Sequence, residues 1–589
     1  MQLNDSTTGR LAIAAALLAV IGSAHATTAH GGSRAAGARG VVALSIVGTT
    51  DLHGAVFARN GYGGLALLGG YVKNLRAARA ADGGSVLLID AGDTYQGGIE
   101  SNLSEGALVV DAYNALGYTA AAIGNHEFDF GPVDVNGRRV SADADPRGAL
   151  KAIAARASFP VLAANLVDES TGRAVDWPNV RPSVLIESAG IKVGIVGVMT
   201  IDALQKTLVV NTRGLRTTPL ASAIRAEAAT LRATGARVVV VAAHAGGACQ
   251  QFDRPDDLSS CDESSEIFEV ARALPPGLVD AIVAGHAHAG LAHVVNGVAI
   301  TESFSHGRAF GRIDLDFDRQ SDAVVSARVF PPQSLCASER PDAGGCRPVA
   351  AAGPAAPADY EGRPVAPDPA LASAMAPALD AVRRLQATPL GTSADTPIAR
   401  AVDQESPLGN LFADALRAST PDADVAIVNG GARGGLRADL PRGPLTFGLL
   451  YDVFPFDNQV ARLRLTGAEL AEVLGSALRR GRPGTLGISG VRVRADCATE
   501  PPRVDVRRAS GEPIGAAEPL VVITTEMLAA GGLFAPAVPR GGFTPSYAAP
   551  VAREVVADWL ARHGGAVSET QFRDANGSWD SAFRQGCGV

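Results

Sequence analysis

Between residues 41 and 288 one pattern recurs: a short, near-continuous apolar run, then at once an aspartate, asparagine or histidine. VVALSIVG (41–48) leads into Thr49-Thr50-Asp51-Leu52-His53. SVLLID (85–90) leads into Ala91-Gly92-Asp93, and TAAAIG (119–124) into Asn125-His126-Glu127-Phe128-Asp129. RVVVVAA (237–243) ends on His244, and DAIVAG (280–285) on His286-Ala287-His288. KVGIVGV (192–198) is a further run of this kind. Runs this short, without apolar–polar alternation, read as strands buried on both faces. Helix-like stretches such as GLALLGGYVKNLRAARA (64–80) and EGALVVDAYNALG (105–117) lie between them. That alternation predicts an α/β domain built on buried sheets. In open α/β sheets, sites form outside the carboxyl ends of the strands. Five strand ends are therefore expected to bring Asp51, His53, Asp93, Asn125, His244, His286 and His288 to one place.

These are mixed oxygen and nitrogen donors. They suit a borderline divalent metal such as zinc, manganese or iron better than an all-oxygen calcium cage. Seven donors exceed one tetrahedral ion. With one bridging carboxylate they serve two ions ~4 Å apart, and Asp93, preceded by small Gly92, is the expected bridge. Two such ions would clamp a phosphoryl group, lower the pKa of a bound water and stabilise the transition state. A leaving alkoxide needs its own partner. His126 as an imidazolium, oriented by Asp129, is expected to serve. A lone D-x-H or H-x-H says little, so the weight rests on joint placement. Five of the ten histidines (His53, His126, His244, His286, His288) follow a strand-like run. His25, His30, His293, His306 and His563 lack that context and are not expected as ligands.

The ends and composition set the address. Residues 1–10 are polar, 11–22 (LAIAAALLAVIG) are apolar, and Ser23-Ala24-His25-Ala26 offers an A-x-A cleavage site. This predicts a secretory signal peptide over 1–26, because the apolar run is shorter than the ~20 residues a membrane span needs. No membrane anchor is expected after cleavage. All six cysteines lie beyond it and none forms CxxC. Six cysteines allow 15 pairings. The expected ones are Cys249–Cys261 and Cys336–Cys346, leaving Cys497–Cys587. Oxidised staples suit an exported, periplasmic or secreted chain. The formal net charge of −8 removes the electrostatic basis for holding a nucleic-acid polymer.

Residues 331–368 are rich in Pro, Ala and Gly and read as a linker or an extended surface segment. LASAMAPALDAVRRLQA (371–387) reads as a connecting helix interrupted by Pro377. The expected organisation is a first domain over 41–330, a join over 331–387 and a second α/β domain over 388–589. The second holds helix-like LGNLFADALRAS (408–419), TGAELAEVLGSALRR (466–480) and APVAREVVADWLARHG (549–564). Its strand-like runs are DVAIVNG (424–430), QVARLRL (459–465) and PLVVITT (519–525).

Asp51-x-His53, Gly92-Asp93, Gly124-Asn125-His126-Glu127, His244 and Gly285-His286-x-His288 resemble the five motifs of the calcineurin-like metallophosphoesterases. AGDTYQGG (91–98), IGNHEFDFG (123–131), LGNL (408–411) and PFDN (455–458) narrow the resemblance to the secreted 5'-nucleotidase family. The resemblance implies an αββα metallophosphoesterase sandwich, a connecting helix and a C-terminal substrate-binding domain. It assigns Asp51, His53, Asp93 and His288 to one metal, and Asp93, Asn125, His244 and His286 to the other. His126 and Asp129 become the catalytic pair. The C-terminal match is looser. Gln404 stands where the family has a phosphate-binding Arg, with Arg400 as a substitute four residues earlier. Asn429 matches a family loop whose Arg is here Arg433 or Arg437. Phe456 matches one of two aromatics that sandwich a base; Met527 stands in the place of the other, and Leu533 in the place of a ribose-binding Asp. Methionine packs on a ring face, whereas leucine accepts no hydrogen bond. The resulting expectation is an exported two-metal phosphohydrolase of nucleoside 5'-phosphates, with a small phosphoester as its partner. Two alternatives stand beside it. One is a hydrolase of another ester, such as a nucleotide sugar, a cyclic nucleotide or a sulfur ester. The other is a non-catalytic metal-binding surface protein.

Overall fold

Strands with no polar face must be covered on both sides, and two stacked sheets with helices outside do this. The computed structural model describes residues 40–573, except 60, 134–143, 339–345, 347–356, 402–405, 431–434, 480–485, 497–502, 532, 535–536, 539–542 and 544–548. The first sheet runs Ala323–Ser334, Ala309–Asp318, Val41–Thr49, Ser85–Asp90, Ala120–Ala122, Val161–Leu162, Val180–Arg181. The second runs Gly290–Val295, Val298–Ser303, Ala281–Ala284, Val238–His244, Ile191–Met199, Ser183–Ser188. The strands that end in candidate ligands pair in parallel within each sheet, so their carboxyl ends share an edge. Leu44, Ile46, Leu87 and Ile89 meet Ile195, Val240 and Val283 between the sheets. Helices Leu65–Asp82 and Ala107–Leu116 cover the outer face of the first sheet; Leu220–Ala233 and Glu266–Ala273 cover that of the second. This is the αββα sandwich. The sheets approach closely where Gly48 faces Val283, since a Cβ at Gly48 would lie 2.6 Å from a Val283 methyl.

The join departs from the sequence expectation in two ways. The strand Ala323–Ser334 runs past residue 330, paired along Ala309–Asp318. Beyond it Leu335, Ala358, Val365, Leu371 and Met375 are buried in the first domain's core. The described part of this segment is thus packed chain rather than free linker. Pro377, expected to interrupt the connecting helix, lies inside one continuous helix, Pro369–Gln386. The ring removes one helical donor. The helix persists because Asp368 caps its start and because Leu371, Met375 and Val382, spaced on one face, are all buried.

The second domain centres on a four-stranded sheet, Val460–Thr466, Pro519–Thr525, Val425–Asn429, Leu486–Ser489. Pro407–Ala418 packs into one core of this domain and Gly467–Arg479 into another. The two domains meet where Ile99, Val382 and Tyr451 bury one another. Cys249–Cys261 and Cys336–Cys346 are disulfides, as expected. Cys497, Cys587 and the 1–26 leader lie outside the described residues. Among the described residues no helix is long and apolar enough to cross a membrane.

Candidate active site

At the strand ends the backbone turns sharply. Asp51, His53, Asp93, His286 and His288, five of the seven candidate ligands, have left-handed φ between 48° and 77°. Each such non-glycine residue costs on the order of 1 kcal/mol, a strain that recurs at functional sites. The turns converge the side chains into two groups that share Asp93.

In the first group, His244 Nε2 lies 3.2 Å from Asp93 Oδ2, 3.1 Å from Asn125 Oδ1 and 3.1 Å from His286 Nδ1. His244 Nδ1 lies 2.9 Å from the Ala91 carbonyl. A carbonyl only accepts, so Nδ1 carries the proton and Nε2 of the neutral ring is a bare lone pair. In the second group, His53 Nδ1 donates to the Gln96 carbonyl at 3.0 Å, which leaves His53 Nε2 bare. That atom faces His288 Nε2 at 3.0 Å, and His288 Nε2 lies 3.3 Å from Asp51 Oδ1. Asp93, His53 and His126 form a further set of donors within 4.8 Å of one another, so Asp93 touches both groups. Nitrogen and oxygen atoms that face one another this closely need a proton or a cation between them, and a divalent cation can replace several such protons at once. The donor set therefore fits divalent metal ions.

Without cations, protons take that place. Burial alone would lower His244, but Asp93 and Asp51 carry it up to about 10. Burial takes His53 down to about 3; burial and the neighbouring His244 charge take His286 down to about 4. Cation binding is thus coupled to proton release.

Buried carboxylates hold the ligand loops. Glu127 accepts the N–H groups of Gly124 (2.6 Å), Thr94 (2.7 Å) and Asp93 (2.9 Å), joining two strand ends. Asp90 accepts from Thr49, Thr94, Tyr113 and the Gly92 N–H. Gly124 leaves room for the bridge: a Cβ there would lie 2.3 Å from Asp93 Oδ1. Asn125 donates its amide to the Lys206 carbonyl at 3.2 Å, which turns its oxygen to His244.

His126 Nδ1 sits 2.6 Å from Asp129 Oδ2, and the Thr207 hydroxyl donates to Asp129 Oδ1. Burial lowers the imidazole, but Asp129 and Asp93 override it and raise His126 to about 9. His126 and Asp129 line a cleft between the domains. Gln96, Asn102, Lys206 and Thr207 share its first-domain wall; Phe456, Asp457, Asn458 and Met527 form the other. The Gln96 amide donates to the Pro455 carbonyl at 3.3 Å, and Asn102 to the Tyr451 hydroxyl. Arg553 fixes the Phe456 loop through the Phe454 and Phe456 carbonyls and Asp457.

The structure brings Phe456 and Met527 to the His126–Asp129 pair. The Arg437 guanidinium stacks 5.1 Å from the Phe456 ring, and Arg400 donates to the Leu436 carbonyl beside it. Asn429 ends the Val425–Asn429 strand and does not line the cleft. Leu533 packs on the second domain's core. Arg433 and Gln404 lie outside the described residues. The strand-end pattern did not mark Lys206, Thr207 or Gln96, which sit in loops away from a strand terminus. His306, set aside on sequence, stacks on His53 at 5.1 Å, and its N–H bonds the Asp51 carbonyl at 2.7 Å.

Comparison with known proteins decides the family. Residues 44–290 match the calcineurin-like phosphoesterase model, and residues 386–539 match the 5'-nucleotidase C-terminal domain model. The chain is a calcineurin-like phosphoesterase with a 5'-nucleotidase C-terminal domain. This phosphoesterase is 25% identical to Protein UshA of Yersinia enterocolitica over 456 residues, 73% of this chain and 75% of that one. It is 26% identical to Endonuclease YhcR of Bacillus subtilis over 490 residues, 80% of this chain but only 36% of that longer protein. Its fold is similar to that of a 5'-nucleotidase precursor from Thermus thermophilus, with TM-score 0.61, 22% identity, and coverage of 89% of this chain and 97% of that one.

Proposed function

We propose that the chain is an exported, two-cation phosphohydrolase that releases phosphate from nucleoside 5'-phosphates. The observation that carries this reading is the convergence of His53 and His244 on Asp93, each with its Nδ1 turned to a backbone carbonyl and its Nε2 turned to the other donors, beside a cleft walled by Phe456. Asp51, His53, Asp93 and His288 would hold one cation; Asp93, Asn125, His244 and His286 the other. Bound divalent cations supply charge against the phosphoryl oxygens and acidify a water. His126 does the remaining acid work. Held protonated by Asp129, it gives its proton to the ester oxygen as the P–O bond breaks, so the alcohol leaves neutral. Asp129 keeps the ring oriented and Thr207 keeps Asp129 in place. Phe456 and Met527 give a base an aromatic face and a thioether face. The A-x-A site at 24–26 and the disulfides support the exported address.

A second reading, hydrolysis of another ester, draws on Met527 and on Leu533, which turns to the core rather than the cleft. Phosphate or sulfate release by the metal-loaded chain from nucleoside 5'-monophosphates, a nucleotide sugar, a cyclic nucleotide and a sulfur ester separates the two. The expected result is a clear preference for the monophosphates. A preference for any other ester overturns the nucleotide assignment. Met527→Phe completes the aromatic sandwich and is expected to lower the nucleotide KM ~2–10-fold, the worth of one added ring contact.

A further inference from the structure

Only four lysines occur among 52 basic residues, and one of them, Lys206, reaches the candidate metal centre. Its ammonium lies 2.9 Å from His286 Nε2 and 3.1 Å from Asp202 Oδ2. The side chain is 46% exposed and lines the cleft beside His126. This contact depends on which nitrogen of His286 is bare. Nδ1 is the atom that faces His244 Nε2, which itself meets Asn125 Oδ1, so Nδ1 is the atom that would hold a cation. The ring's remaining proton then sits on Nε2. An ammonium has three donors and no acceptor. With a proton on Nε2 and a positive ion behind it, His286 no longer accepts from Lys206. Asp202 is 43% exposed and gives a solvated pairing only. The flexible four-carbon stem leaves the ammonium free to turn into the adjoining cleft.

We propose that Lys206 binds the phosphoryl group of the substrate: its ammonium rests on His286 Nε2 in the metal-free chain and passes to an anionic oxygen in the cleft once a cation occupies His286 Nδ1. This rests on the phosphohydrolase reading and adds to it a residue that competes with the metal and then serves the anion. The two roles predict opposite effects of one substitution. Lys206→Met removes the competing charge, so manganese added to the stripped chain binds tighter, by ~3–10-fold. It also removes an anion partner, so the loaded chain binds inorganic phosphate ~10–100-fold more weakly, as expected for a lost charge-assisted hydrogen bond. Lys206→Arg keeps most of the phosphate binding. A residue that only braced the loop would weaken manganese binding instead.

Calorimetric titration of the wild-type chain, Lys206→Met and Lys206→Arg, first with manganese on stripped protein and then with inorganic phosphate on loaded protein, tests this without a turnover assay. Tighter manganese together with weaker phosphate in Lys206→Met, and retained phosphate in Lys206→Arg, is the expected result. Unchanged or weaker manganese binding, or unchanged phosphate binding, in Lys206→Met overturns the proposal, as does loss of phosphate binding in Lys206→Arg. A wild-type chain that binds phosphate through Lys206 yet releases none from any ester would overturn the function and leave this inference standing.

Discussion

His126→Ala lowers turnover ~10²–10⁴-fold while the metal content stays at the wild-type value. The ring is not among the donors assigned to either cation, and its backbone N–H to Asp93 Oδ1 at 2.8 Å survives the substitution. What is lost is the proton for the departing ester oxygen. The loss therefore falls on kcat, and it shrinks for substrates whose leaving group is already acidic, such as an aryl phosphate. Asp129→Asn acts in the same direction by less, because it removes the carboxylate that keeps the ring charged. The pH dependence follows in sign. His126 is raised to about 9, so its acid form persists through neutral pH and is lost as pH rises. Bound cations oppose that elevation, so wild-type turnover falls on the alkaline side no later than about 9. In Asp129→Asn the fall comes at lower pH. Steady-state rates on an alkyl and an aryl phosphate, with metal analysis of the same samples, check this. Equal rates in His126→Ala and wild type would remove the general acid from the mechanism.

Asp93→Ala loses both cations and with them all but background turnover, a fall of ~10³-fold or more. Asp93 is fully buried and central: Oδ2 faces His244, Oδ1 accepts the His126 N–H, and its own N–H is held by Glu127. Removing one partner from such a buried set leaves several groups uncompensated at once. His244 in particular loses the carboxylate that raises it. Elemental analysis after reconstitution reads the effect directly. Retention of two equivalents would show that Asp93 does not bridge. His288→Ala is a useful contrast, since His288 belongs to one group only and sits at the exposed side of the centre.

How much of this was legible in the chain depends on how local the determinant is. The sandwich was readable because strands buried on both faces, such as Val238–His244, leave an uninterrupted apolar run. The convergence of the candidate ligands was readable because parallel strands align their ends, which turns a one-dimensional pattern into a shared edge. Pro377 was misleading: a helix is scored locally, yet this one is held by Leu371, Met375 and Val382 against both domains. Residues 331–368 looked like a linker from composition, while Leu335, Ala358 and Val365 bury themselves in the first core. Of the cleft, His126, Asp129, Phe456 and Met527 were named from motifs, but its closure was not, since it arises from the docking of the Gln96–Asn102 segment on Pro455 and Tyr451, far apart in sequence. Lys206 and Thr207 went unmarked for the same reason: they reach His286 and Asp129 from a loop well past the end of the Ile191–Met199 strand.

The two-cation centre is tested most directly by following phosphate release from a nucleoside 5'-monophosphate as manganese is added stepwise to the stripped chain. Turnover that starts near zero and rises until two equivalents per chain are bound is the expected result. Turnover that is complete at one equivalent, or undiminished in the stripped chain, contradicts it.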